Sequence, residues 1–91
     1  METRQSIRRY ILDEHLPNEP ETSLRDDMPL LTTGIIDSIG IIKLIGFIES
    51  EFGIEIEPLE AIGENFQTVD AISRFVARKR DALATAKPSS P

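Results

Sequence analysis

Residues 37–53 read Asp37-Ser38-Ile39-Gly40-Ile41-Ile42-Lys43-Leu44-Ile45-Gly46-Phe47-Ile48-Glu49-Ser50-Glu51-Phe52-Gly53, and the fold turns on how this stretch is read. Ile41, Leu44, Ile45, Ile48 and Phe52 recur at i, i+3, i+4, i+7 and i+11, the spacing of an apolar stripe on an α-helix. Asp37-Ser38 is a start signal, and Gly53 supplies the left-handed residue that ends a helix. Isoleucines at 39, 41, 42, 45 and 48 each lower helix propensity by a few tenths of a kcal/mol, so 39–48 also has a strand reading. Phase, length and the flanking caps favour the helix. Ile39, Ile42 and Phe47 lie outside the stripe, which makes the segment apolar nearly all round. It is therefore expected to be the central helix, or to own a second face that meets something.

Working outward, three more helical segments are expected. The first runs from Thr3 to His15, with Ile7, Tyr10 and Ile11 as its stripe, and stops before Pro17. Beyond Gly53, the alternation Ile54-Glu55-Ile56-Glu57 reads as an extended connector that buries both isoleucines. A short third helix is expected from Pro58 to Asn65, with Leu59, Ile62 and Phe66 apolar. The last helix opens at Thr68 as N-cap, has Asp70 in its first turn, and turns Val69, Ile72, Phe75 and Val76 inward. Arg78, Lys79 and Arg80 are expected near its C-terminus, where the helix dipole favours cations. Phe52, at the end of the central stripe, should be deeply buried. The fold class is all-α, a small four-helix bundle with a long first loop and a short third helix.

Composition bounds the function. A chain of 91 residues, 40% hydrophobic, builds one modest core and one domain, expected over residues 1–84. Ten basic against sixteen acidic residues give a net charge of −6, which disfavours a nucleic-acid binder because that affinity rests on neutralising phosphates. The absence of cysteine removes disulfides, thiolate metal sites and cysteine nucleophiles together. A single histidine, His15, leaves little room for a metal site or a triad, so no metal and no catalytic residue is assigned. No apolar run approaches a bilayer span and no signal-peptide core follows Met1, so a cytoplasmic monomer is expected.

Charge and breakers are unevenly placed. Residues 44–73 hold seven acids and no base, whereas 74–91 hold five bases and one acid. The acidic third suits a partner with a basic patch, and it also serves simply as a solvated face that maintains solubility. Pro17, Pro20 and Pro29 fall in the polar stretch 16–37, a long connection for so small a domain. Its first half is expected to be mobile and its second half, near Gly34, pinned to the bundle. Residues 85–91, ending Lys87-Pro88-Ser89-Ser90-Pro91, read as a disordered tail.

The chemistry lies in Gly34-Ile35-Ile36-Asp37-Ser38-Ile39. Taken alone, Asp-Ser before an apolar helix is a capping signal. A hydroxyl at a helix N-terminus is also well placed to bear a phosphodiester, because the dipole and the unpaired N–H groups favour negative charge there. No histidine lies nearby in sequence to activate Ser38, so a serine modified by another enzyme is more economical than a hydrolase.

At this point Leu30-Leu31-Thr32-Thr33-Gly34-Ile35-Ile36-Asp37-Ser38-Ile39 resembles the attachment motif of acyl and peptidyl carrier proteins. The resemblance continues through Glu51-Phe52-Gly53-Ile54-Glu55-Ile56 and Thr68-Val69, covering about residues 5–80. It implies that Ser38 carries a 4′-phosphopantetheine arm, transferred from coenzyme A by a phosphopantetheinyl transferase, whose thiol holds cargo as a thioester. Asp37 would assist recognition or metal placement during that transfer. The chain would then be a substrate of other enzymes and not itself a catalyst.

The departures from the family narrow the expectation. Fatty-acid synthesis members line the central helix with acids, whereas the corresponding positions here hold Gly40, Lys43 and Ser50, leaving Glu49 and Glu51 toward the end. Gly40 reads either as a need for close approach or as tolerated drift. Ile39, Gly40, Ile42, Lys43 and Glu49 are the expected partner-docking residues. The resemblance thus points to a specialised, stand-alone acyl carrier served by dedicated acyl-loading and acyl-transfer enzymes. The Asp-Ser-Ile-Gly order is also similar to D-alanyl carrier proteins, which implies an aminoacyl carrier loaded by an adenylating ligase as the alternative. An acyl chain wants an apolar cavity, with Ile41, Ile45, Phe47, Ile62 and Ile72 as candidate walls, each of them equally a core residue. A third possibility is an unmodified acidic helical interaction module, meeting its partner through the acidic third and a patch at Ile39, Ile42 and Phe47.

Overall fold

The computed structural model describes residues 3–86. They form three α-helices: α1 (Thr3–His15), α2 (Ser38–Phe52) and α3 (Val69–Ala86). A 3₁₀ turn, Glu21–Ser23, interrupts the first loop, and two more, Pro58–Ala61 and Gly63–Phe66, connect α2 to α3. No strand occurs among the described residues, and the class is all-α. Residues 85 and 86 belong to α3, and 87–91 of the expected tail lie outside the described residues.

The expected helix over 58–65 is corrected to the two 3₁₀ turns. A reciprocal pair between Glu57 and Glu60 closes the first turn, and Ile62 is extended at φ −109°, ψ 165°. Gly63 then takes φ 79°, which right-handed helix cannot continue. Leu59 and Ile62, two of the apolar residues of that expected helix, are 80% and 64% exposed, and Phe66 alone of the three is buried.

Central helix α2 begins and ends where its caps predict. Asp37 accepts the Gly40 N–H, and Gly53 sits in the left-handed conformation at φ 65°, its N–H donated to the Glu49 carbonyl. Gly40, Ile41, Leu44 and Ile48 are buried, and they face Ile7 and Ile11 of α1 and Val69, Ile72, Phe75 and Val76 of α3 in one core. Phe52 is only partly buried, a correction to its expected depth: the guanidinium of Arg80 covers its ring at 5.6 Å. Ile54 is buried in the connector, while Ile56 is partly so.

Because α3 continues to Ala86, Arg78 to Arg80 lie in mid-helix, and a C-terminal dipole does not explain them. They hold neighbours instead: Lys79 Nζ pairs with Glu60 at 2.9 Å, and Arg78 donates to Asn65 Oδ1 at 3.1 Å. The first half of the long loop, expected to be mobile, has contacts with α1. Leu24 is buried, and Arg8 of α1 donates to the carbonyls of Leu24 and Glu21 and to Asp26 Oδ1. The Asp26 carbonyl in turn accepts the Asp70 N–H at 2.9 Å, tying the loop to the start of α3.

Candidate functional site

The head of α2 is held by the segment that precedes it. Leu30 and Ile36 are fully buried, and the Ile36 N–H donates to the Leu30 carbonyl at 3.2 Å. The Leu30 N–H donates to the Gln67 carbonyl at 2.8 Å, and Thr33 Oγ1 donates to the Pro29 carbonyl at 2.7 Å. These bonds fix a bend of irregular backbone whose exit residue, Asp37, is extended at φ −98°, ψ −175°. From there Asp37 Oδ1 accepts the Gly40 N–H at 2.7 Å, and its carbonyl accepts the Ile41 N–H at 3.0 Å.

Asp37 is thus the cap, and Ser38 is the first helical residue. Its side chain is exposed and makes no hydrogen bond within the described residues. The capping explanation for Ser38 itself therefore falls away, since the carboxylate one residue earlier satisfies the helix end. Ser38 lines a groove of about 540 Å³ together with Pro29, Leu31 and Thr32 on the loop, Ile41 on α2, and Ile62, Gly63 and Phe66 on the 3₁₀ turns. Of the five candidate wall residues, Ile41 and Ile62 line this groove. Ile72 is core, and neither Ile45 nor Phe47 lines it. Leu31, Phe66 and Gln67 were not foreseen as walls, because they lie on irregular backbone where no periodicity marks a face.

The expected docking residues divide. Ile39 and Ile42 are 63% and 68% exposed, and Lys43 is exposed beside them. Phe47 leaves the expected patch, being partly buried and stacked on Tyr10 with ring centroids 4.4 Å apart. Burial there, followed by the nearby Glu14 carboxylate, raises the Tyr10 phenol above its usual range. Glu49 is partly buried and accepts the Ile56 N–H at 2.9 Å, so it pins the connector and does not present a free acid.

Gly40 is not a surface position at all. It is buried, and a Cβ there would lie 2.8 Å from Ile36 Cγ2 and 2.9 Å from His15 Cε1. The close-approach reading is the correct one: the end of α1 rests on the first turn of α2. His15 Nε2 is buried there without a hydrogen-bond partner among the described residues. Among the described residues, no three His, Cys, Asp or Glu side chains cluster as a metal site, and no helix is long and apolar enough to cross a membrane.

Comparison with known proteins agrees with this geometry. No curated protein matches the chain. A family model described as "Phosphopantetheine attachment site" matches residues 14–76, about two-thirds of the chain, from the end of α1 to the inner stripe of α3. Domains of that family bind covalently attached 4′-phosphopantetheine, and by this match the chain belongs to the phosphopantetheine-binding carrier-domain family.

Proposed function

We propose that Ser38 bears the 4′-phosphopantetheine arm and that the domain, residues 1–84, carries acyl cargo between dedicated enzymes as a cytoplasmic monomer. One observation carries the reading. Ser38 offers an exposed hydroxyl with no competing hydrogen bond at the start of a 15-residue helix, beside an apolar groove. The cap is supplied by Asp37, so modification of Ser38 disturbs no bond of the fold. The N–H groups at the head of α2 and its dipole favour the negative charge of a phosphodiester at that oxygen.

The family supports a phosphopantetheinyl transferase and acyl-handling enzymes as partners. When bound, the arm supplies a thiol on which cargo is held as a thioester. The protein's own residues supply the anchor and the groove. Leu31, Ile41, Ile62 and Phe66 give that groove apolar walls, which favours an aliphatic cargo over an amino acid, for which burial of apolar surface offers little. The docking side of the proposal rests on Ile39, Ile42 and Lys43, the last of which repels partners with basic docking surfaces.

The test is intact mass after incubation with coenzyme A, magnesium and a broad-specificity transferase. Wild type should gain one phosphopantetheine and Ser38→Ala none, with both folded by circular dichroism. An unmodified wild type, as for a plain interaction module, or a modified Ser38→Ala, would overturn the assignment. Loading assays with acyl and aminoacyl donors then separate the two cargoes.

A further inference from the structure

His15 is the only histidine of the chain, and the fold leaves one nitrogen of its ring without a polar partner. Nε2 is buried and makes no hydrogen bond among the described residues. The residue closes α1, and its ring lies against the first turn of α2. There Cε1 falls 2.9 Å from the point that a Gly40 Cβ would occupy. Gly40 is also the residue whose N–H donates to the Asp37 cap at 2.7 Å. One contact therefore joins the end of α1 to the bond that starts α2, next to Ser38.

A neutral imidazole suits this place and an imidazolium does not. The neutral ring keeps one nitrogen as an acceptor, so a buried, unpaired Nε2 needs no proton. The imidazolium carries an N–H on both nitrogens, and a charged donor buried without an acceptor is strongly unfavourable. The surrounding charges do not offset this. A hollow of about 270 Å³ brings His15 together with Tyr10 and Glu14 of α1, with Asp37 and Lys43 of α2, and with Gly34 and Ile35 of the loop, which carry no charge. Asp37 is engaged by Gly40 and Glu14 is exposed to water, and neither accepts a hydrogen bond from His15 among the described residues. Lys43 and the N-terminal dipole of α2 oppose a second cation. The C-terminal dipole of α1 has the opposite sign, but no carbonyl accepts from Nε2.

We propose that His15 is a proton-sensitive wedge between α1 and α2. Neutral, it seats the end of α1 on Gly40. Protonated, it turns Nε2 out to water and lifts from the first turn of α2. The sign follows from the burial. An imidazole in water takes its proton at about pH 6.5. The closed contact excludes the protonated ring, so its contribution is complete well above that pH and fades as pH falls below it. Carboxylates, which take protons at about pH 4, lie outside this window. The wedge sits at the head of the helix that presents Ser38, so mild acid loosens the Asp37–Gly40 cap beside that residue. Nothing in this inference depends on what Ser38 carries.

The test is amide hydrogen exchange on the unmodified protein, followed residue by residue by NMR at about pH 7.5 and about pH 5.5. The reporters are the N–H groups of Gly40 and Ile41, which donate to the Asp37 side chain and carbonyl. Exchange rates are divided by those of the free peptide at each pH, which removes the intrinsic pH dependence. Protection of both amides in wild type should fall about tenfold at the lower pH, the limit for one excluded proton a unit below the imidazole value. In His15→Gln, which has no group titrating in this range, protection should change less than about twofold between the same conditions. Glu14→Gln should keep the wild-type fall, because the nearest carboxylate on α1 is not the group that titrates. Protection at Gly40 that stays constant in wild type overturns the inference whatever the variants do. So does a fall that persists in His15→Gln or disappears in Glu14→Gln. The assignment of Ser38 is read separately, from the mass gain on modification at neutral pH.

Discussion

Gly40 and Ser38 sit two residues apart and illustrate how little a residue's type says about its role. Alanine at 40 is the better helix former, yet its methyl would press on Ile36 and His15. Overpacking should win, so Gly40→Ala should lose about 1–3 kcal/mol in urea unfolding. An acid at 40 would be buried, and so cannot restore a surface docking charge. For the cap the order is the reverse of what a serine at a helix start suggests. Asp37→Ala should cost about 1 kcal/mol, because it removes the acceptor for the Gly40 N–H. Ser38→Ala should unfold at the wild-type urea concentration, since that hydroxyl makes no hydrogen bond among the described residues. Equal losses for the two would mean that Ser38 shares the cap.

Helix α2 obeys its hydrophobic period through the middle and departs from it at the end. Ile48 is fully buried, whereas Phe52, one turn on, shares its ring with Arg80 and solvent. Truncation should follow burial and not size: Ile48→Ala should cost about 2–5 kcal/mol, and Phe52→Ala clearly less. Thermal melts of the two variants rank them, and a larger loss at Phe52 would contradict the observed phase. The connector to α3 shows the opposite failure. Leu59, Ile62 and Phe66 have spacing that a helix would accept, but Gly63 and the closed Glu57–Glu60 turn break it in two. Those breaks are what turn Ile62 outward to form a wall of the groove.

Long-range polar contacts hold the irregular parts to the helices. Arg8 fastens the first loop, and Lys79 fastens the 3₁₀ turns through Glu60. The Glu60 carboxyl is held below its ordinary value of 4.5, first by the Glu57 N–H and then by Lys79. A lowered folded value means the charged form is favoured by folding, so its stabilisation is complete above about pH 4.5 and fades as pH falls through the lower, folded value. Asp27, lowered by its bond to Arg25, acts with the same sign. Lys79→Met should therefore reduce the melting temperature at neutral pH by a few degrees at most, as suits a part-buried pair at the surface. The difference from wild type should shrink toward pH 3, and a difference that grows in acid would assign the wrong sign.

The parts of this protein that could be read from the chain are those in which local chemistry repeats. The bounds of α1, the caps of α2 at Asp37 and Gly53, and the Thr68 cap and inner stripe of α3 all follow from periodicity and terminal residues. The proposal for Ser38 rests on its neighbours, which form a short, ordered motif in the chain. Other features depend on residues distant in sequence meeting in space. The groove needs the 29–32 bend against Ile62 and Phe66, the interior place of Gly40 needs His15, and the anchoring of the first loop needs Arg8. No local pattern encodes such encounters, because each is set by where the hydrophobic core brings separate elements together, and only then do burial and charge take their final values.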